Sequence, residues 1–536
     1  MMNNRITVHL ASLQFALIAV VQSFTFSSAA SQPSSSPAVG CIGSLQLPEP
    51  YSYRYADATQ LWRLTDNAAG LALDSAQNRG IAYFDIQHSE GDYHRVQEGG
   101  QRNQLEFFTE RYQQIGSLLV GYGSFRFDMG RTKDRAWCDV MRPYNANPFY
   151  SGSCQPGKYD TQQFDLTAAV GTSQLWGLTA GLRLDYKVGD LSRLRDPRSR
   201  SQLLDYQLTP SFTYTSEPHT LGISGHYHRR KEKIPNMTTV QQDPNLKYYL
   251  MSGMEQAVGI TGGYSGFSRE WVDHRFGIAV SYGFNNGTVN SLATASIERG
   301  SEDVLGQYKY EPGHYVSYRY GLNARNRLHM AKGLHQIDFN VSYEQAYADE
   351  YRQMLLQERD AEHGYTSYRY ETLINFRKRY QLQLLNTQLH YRYSVSRGPA
   401  LTKYVGLKAA LNATETEHLL PQSSLALTHA DFTLEGSHDL LSSRLYVDAE
   451  VTYHLSAKAE LLLADATTDM AQQVWLPDMM YYDANYWRGH AALTYQFPLK
   501  VKGVRNTWFL RAYADYLITN NSLYSATFGA SFGIFY

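Results

Sequence analysis

At 536 residues, with 49 Lys and Arg against 50 Asp and Glu, the chain has a formal net charge of −1 and lacks the basic excess that a nucleic-acid partner requires. A soluble protein of this size would ordinarily divide into several domains, yet one compositional pattern runs from about residue 79 to the end. Tyrosine is abundant at 43 residues and the mean hydropathy is −0.44, which suits a membrane wall in which only alternate residues face lipid.

Residues 1–30 have the pattern of a secretory signal peptide. Arg5 supplies the charge, residues 10–21 the apolar core, and Ser28, Ala29 and Ala30 the cleavage site. The core is too short for a transmembrane helix and Gln14 interrupts it. Cys41 follows a Ser/Pro-rich stretch, residues 31–37, that separates it from the signal core, so it is not read as a lipidation site. Residues 31–78 contain no clean strand and form an N-terminal periplasmic or lumen-mouth segment. Within it, residues 60–74 predict a short amphipathic helix or turn at the periplasmic end of a barrel or inside its mouth.

From residue 79 the pattern is period two. Trp176, Leu178, Ala180, Leu182, Leu184 and Tyr186 share one face, and Thr179, Gly181, Arg183, Asp185 and Lys187 the other. The same alternation returns at residues 335–347, 444–454 and 508–518. It ends in residues 524–536, where Tyr524, Ala526, Phe528, Ala530, Phe532, Ile534 and Tyr536 alternate with small or polar residues, Phe535 excepted. Runs of ten to fourteen residues exceed the usual soluble strand and match a tilted outer-membrane span. The fold class is therefore all-β: a single transmembrane antiparallel barrel over residues 79–536, with about 18–20 strands. Their number must be even to return both ends to the periplasm. Short turns are expected near 113–116, 171–174, 216–218 and 378–381. Longer outer loops are expected near 130–160, 189–202, 230–254, 285–313, 349–365 and 467–482.

Candidate sites follow from this placement. Arg183, Asp185, Arg444, Asp448, Glu450, Arg511 and Asp515 fall on the polar face and form a candidate lumen network, either lining a wet conduit or pairing to hold a filled barrel. Arg193, Arg195, Arg198, Arg200, Arg229, Arg230 and Lys231 fall in expected outer loops, as candidate contacts for phosphate or carboxylate, including lipopolysaccharide. Glu350, Glu358, Asp360 and Glu362 make a neighbouring loop acidic. Cys138 and Cys154 sit in one polar stretch, where an oxidising compartment would let them form a disulfide. His226 and His228 share a strand face without a third metal ligand, and Gly262–Gly266 lacks the setting of a phosphate loop. No catalytic, metal or cofactor motif stands out, and an enzyme is not expected.

The signal, residues 61–71, the Tyr-rich strands and the ending Phe528–Tyr536 together resemble the uncharacterised outer-membrane β-barrel family of Bacteroidota. Residues 66–70 also resemble the Asn-Pro-Ala-Gly mouth of fatty-acid-transport-like barrels, with Ala68 in place of the proline. The resemblance implies a Gram-negative outer-membrane location and association with a surface lipoprotein or uptake receptor. The leading expectation is a barrel for passage or uptake of a polar substrate. The alternative is a non-conducting structural or docking barrel in a surface complex.

Overall fold

Strict alternation leaves each strand one greasy and one polar face, and the lowest-cost way to separate them in a bilayer is to close the sheet on itself. The structure, a computed structural model, describes residues 50–536 other than 75–77, 143–145, 241–245, 262–266, 360–362, 398–399, 442–443 and 502–503. The expected signal peptide, Cys41, Gly262–Gly266, Asp360 and Glu362 lie outside the described residues.

The wall strands are β1 (Arg79–Gly91), β2 (Gln101–Ile115), β3 (Leu119–Arg135), β4 (Gly157–Thr172), β5 (Leu178–Arg193) and β6 (Arg198–Ser216). Next come β7 (His219–Ile234), β8 (Arg269–Asn285), β9 (Val289–Gly306), β10 (Gly313–Met330), β11 (Gly333–Arg359) and β12 (Thr366–Arg397). The last six are β13 (Ala400–His418), β14 (Ser423–Leu440), β15 (Leu445–Leu462), β16 (Tyr486–Val501), β17 (Val504–Thr519) and β18 (Tyr524–Phe535). Successive strands pair antiparallel, and β1 closes on β18 from Ile81 opposite Phe535 to Gly91 opposite Ser525. The result is a single closed barrel of 18 strands, the architecture of an outer-membrane β-barrel. No described helix is long and apolar enough to cross a membrane.

The two faces sort as the alternation predicts. Leu182, Phe212, Ile223, Phe276, Val405, Leu434, Leu510 and Phe528 point outward and are exposed, forming the apolar belt. Between them Arg183, Glu298, Glu435 and Asp515 turn inward. Trp176, 87% exposed at the tip of the β4–β5 turn, is placed as an interfacial anchor.

One rim carries the start of β1, the end of β18 and short turns at 116–118, 173–177, 217–218, 286–288 and 331–332; by length asymmetry it is the periplasmic rim. Several sequence expectations change, among them the loop expected at 349–365, which is strand β11 as far as Arg359. Residues 378–381 are not a turn but lie inside β12, where Lys378 has φ of 51° and the pairing moves from Ala348–Tyr380 to Glu350–Phe376. This bulge absorbs the turn-like residues, and the β11–β12 hairpin continues past the rim. The expected loop at 285–313 is mostly strand β9, and the loop at 189–202 contracts to residues 194–197.

The longer outer connections fold inward. A three-stranded sheet of Ser151–Ser153, Lys247–Gly253 and Gln256–Thr261 sits within this layer. It joins buried Trp137, Phe149, Tyr248 and Met251 from the loops to Trp271, Val304 and Tyr315 from the wall. The Trp271 indole N–H donates to the Phe149 carbonyl at 2.7 Å, so the docked loop keeps its buried polar group satisfied. The hydrophobic core therefore lies inside the extracellular half of the barrel.

Candidate functional site

The periplasmic mouth is filled by the segment before β1. Helix α1 (Pro50–Thr59) leads into 3-10 turns at Trp62–Leu64 and Ala68–Ala72. Asn67 starts the second turn, its side-chain oxygen accepting from the Gly70 N–H at 3.3 Å. The wall receives this segment through small residues: a Cβ on Gly171 would lie 2.4 Å from the Ala68 carbonyl oxygen, and one on Gly181 2.2 Å from the Ala69 nitrogen. Only glycine permits that approach. Thr179 Oγ1 donates to the Ala69 carbonyl (2.9 Å), and the Ala69 N–H donates to Ser211 Oγ (3.1 Å). The last carbonyls of α1 are also taken up by the wall, Ala58 by Arg327 and Thr59 by the Asn290 amide at 3.1 Å; a cation there complements the helix dipole. Arg63 lies over the Tyr112 ring at 4.6 Å and pairs with Asp57 at 2.6 Å. The backbone N–H of Arg63 donates to Asp74 at 2.8 Å, and burial pushes the Asp74 carboxyl up to about 7.

Two adjoining cavities, of about 490 and 580 Å³, lie in the lumen beside this plug. Arg54, Asp57, His490, Thr494 and Arg511 line both. The first is ringed by ion pairs. Arg54 on α1 meets Asp448 on β15 at 3.2 Å, and Arg327 meets Asp338 at 2.6 Å. Glu435 gathers His390 (2.8 Å), Arg392 (2.7 Å) and Lys408 (2.7 Å), and Lys408 also reaches Glu450 at 3.2 Å. Lys403 and Arg511 also line this cavity, Arg511 over the Tyr513 ring at 5.5 Å, and neither forms an ion pair among the described residues. In the second cavity Asp85 accepts from Tyr513 (2.8 Å) and Ser531 (2.5 Å). This arrangement lines the space beside the plug with polar groups and offers a solute both signs of charge.

Of the expected lumen residues, Asp448, Glu450 and Arg511 line these cavities. Asp515 faces the lumen, paired with Arg488 (2.7 Å) and His490 (3.0 Å). Arg183 pairs with Asp185 at 2.7 Å and reaches Asp66 of the plug at 3.3 Å, so this pair anchors the mouth rather than lining the cavities. Arg444 is a correction: it lies exposed in the turn before β15, because the strand starts only at Leu445 and the polar alternation overshoots it.

The arginines expected in outer loops are also relocated, because β5, β6 and β7 run farther than their polar sequences suggest. Arg193 is buried and donates to Tyr159 (2.5 Å), the Gln155 carbonyl (2.7 Å) and the Arg195 carbonyl (3.0 Å). Arg230 is buried between Glu232 and Glu302. Arg198 pairs with Asp196 (3.0 Å), Arg200 with Asp190 (2.5 Å) and Lys231 with Glu270 (2.8 Å), while Arg195 donates to the Pro156 carbonyl at 2.8 Å. Arg229 alone of the set forms no ion pair or side-chain hydrogen bond among the described residues. Six of the seven are thus parts of the wall, Arg195 stays in the β5–β6 turn, and the set is not one free cationic patch.

Cys138 and Cys154 are free thiols, contrary to the expected disulfide. Trp137 N–H donates to the Ser153 carbonyl and Asp139 N–H to the Ser151 carbonyl, which sets Gly152 opposite Cys138 and moves Cys154 two residues along. A diagonal pair is too far apart for ordinary disulfide geometry. Burial pushes the Cys138 thiol up, so it stays protonated. His226 pairs with Glu298 (2.9 Å) and His228 with Asp205 (2.6 Å), each on a carboxylate from a neighbouring strand. Among the described residues no group of three His, Cys, Asp or Glu is placed to hold a metal ion.

Sequence reasoning missed Arg54, Glu435, Lys408 and Arg327. The signal existed for Glu435: Asp431, Thr433, Glu435 and Ser437 alternate with Phe432 and Leu434 in β14. Nothing local could have brought Arg54 to Asp448, which is 394 residues away.

No curated protein matches the chain. Among solved structures, the outer membrane transporter YddB from Escherichia coli is 8% identical with a TM-score of 0.40, covering 85% of this chain and 81% of that one. The FrpB iron transporter from Neisseria meningitidis is 8% identical with a TM-score of 0.38, covering 88% and 83%. The siderophore receptor PiuA from Acinetobacter baumannii is 8% identical with a TM-score of 0.37, covering 86% and 82%. At this distance the similarities carry no argument about activity. Residues 68–536 match the family described as "Family of unknown function (DUF6850)", and the chain belongs to it.

Proposed function

We propose that this DUF6850 member is a gated barrel in a Gram-negative, Bacteroidota-like outer membrane, passing a polar solute inward. The observation that supports this is the polar lumen, about 490 and 580 Å³ in two adjoining cavities, lying against a plug held to the wall by hydrogen bonds and ion pairs. A barrel serving only as a scaffold would gain more from a dry, packed interior, because buried ions cost several kcal/mol each when their pairing is imperfect. The inward-folded outer loops and the periplasmic plug act as two gates, and the ion pairs between them offer exchangeable partners to a polar solute. Lipopolysaccharide and outer-leaflet lipid are taken as the medium around the apolar belt.

The test is solute flux into vesicles carrying the full chain, using neutral and charged sugars, compared with the Gly181→Ala variant that unseats the plug. We expect low flux in the wild type and a clear rise in the variant. A sealed barrel in both would reject the conduit.

One observation favours the second reading, a docking barrel for a surface lipoprotein or receptor. The β11–β12 hairpin projects past the rim with Met354, Leu355, Leu373 and Ile374 exposed. Stoichiometric co-purification of a surface protein, together with no flux in either variant, is the result that reading requires.

A further inference from the structure

Among the described residues, buried arginines in this barrel find oxygen atoms, with one exception. Arg193 meets a phenol and two carbonyls, Arg230 two carboxylates, and Arg327 Asp338 and a helix carbonyl. Arg269, the first residue of β8, is 2% exposed and shares the inward face with Trp271 and Asp273. Its Nε has no hydrogen-bond partner, and no carboxylate pairs with it among the described residues. Its titratable neighbours are the phenols of Tyr310 and Tyr248, the Tyr310 ring lying 6.0 Å from the guanidinium carbon. The residues opposite it on adjacent strands, Ile234 and Gly306, carry no charge. A cation held this way is costly, because no anion offsets the hydration that burial removes.

The cover over it is a short, tense turn. Tyr308 and Lys309 have φ of 53° and 62°, consecutive left-handed conformations at residues that pay for them. Tyr310 continues from that turn and contacts the Tyr370 ring, on the projecting part of β12, at 5.1 Å. Swinging Tyr310 aside would uncover the guanidinium toward the extracellular side.

We propose that Arg269 anchors an anion-binding site, covered by Tyr310, for a small soluble molecule bearing a carboxylate or phosphate. The planar fork of arginine binds either group through two parallel hydrogen bonds. Lipid headgroups are excluded as the source because Arg269 points into the barrel, away from the lipid belt. The site holds whether or not the lumen conducts, since binding is measured without flux.

The experiment is calorimetric titration of the full chain in detergent at low salt with glucuronate, with inorganic phosphate, and with glucose as the neutral control. Saturable binding of glucuronate or phosphate is expected, with glucose silent; which anion binds distinguishes carboxylate from phosphate. Arg269→Met should weaken that binding at least tenfold, and Arg269→Lys should fall between. Tyr310→Ala should speed association, read from the fluorescence of nearby Trp271, and serves alone if Arg269→Met lacks the heat-modifiable gel mobility of a folded barrel. Absence of anion binding to the wild type overturns the proposal. So does equal affinity in folded Arg269→Met, or an unchanged association rate in Tyr310→Ala.

Discussion

Adding a single methyl at Gly181 should release the plug. A Cβ there would fall 2.2 Å from the Ala69 nitrogen and 2.4 Å from the Ala68 carbonyl carbon, both backbone atoms that have no rotamer to change. Ordinary contact needs roughly 3.5 Å, so the segment must withdraw by about 1 Å. That movement strains or breaks the Thr179–Ala69 and Ala69–Ser211 hydrogen bonds, worth about 1 kcal/mol each. Overpacking adds about 1–3 kcal/mol. The total, about 3–5 kcal/mol, multiplies the released population by roughly 10² to 5 × 10³. Hydrogen exchange at the amides of Ala69, Gly70 and Leu71 should quicken correspondingly in Gly181→Ala, while amides in β17 stay protected. Gly225→Ala is the matched control, because its Cβ would meet only the Gly277 carbonyl at 3.8 Å. Equal exchange at residues 69–71 in both variants would refute the account of the seat.

Other outcomes follow from the same geometry. Because the Asp74 carboxyl is raised from 3.8 to about 7, its stabilising contribution is fully present below about pH 4 and is lost as pH rises through 7. Exchange at Trp62 and Arg63, corrected for intrinsic rate, should therefore quicken across that window, and Asp74→Asn should flatten the dependence; a persistent slope in the variant would assign it to another group. Leu182→Arg puts a charge on the lipid face, 50% exposed in the wild type, and should lower unfolding stability in vesicles by about 2 kcal/mol. An unchanged urea midpoint would place Leu182 off the membrane belt. Peptide mapping without reductant should find Cys138 and Cys154 unlinked, with Cys138 resistant to maleimide until the barrel unfolds. A Cys138–Cys154 crosslinked peptide would contradict the register around Gly152.

The wall was determined by the sequence alone, because side-chain alternation is a local property. Leu182 against Arg183, Leu510 against Arg511 and Phe528 against Gly529 each assign a face without reference to any other strand. Residues 60–74 stand apart in the sequence as a stretch that matches no strand, while the helix at Pro50–Thr59 leaves no such mark. Tertiary structure decided what alternation cannot encode: which polar stretches remain strands, and which residues meet across the lumen. Arg193 and Arg230 look like loop cations in the sequence because their neighbours are polar; the length of β5 and β7 buries them. Lys378 looks like a turn because a bulge and a turn use the same backbone region. Arg54 finds Asp448, Glu435 gathers Arg392 and Lys408, and Arg269 finds no carboxylate, because ring closure sets distances between residues that are far apart in the chain. Those long-range distances, not composition, separate a paired charge from one left waiting for a ligand.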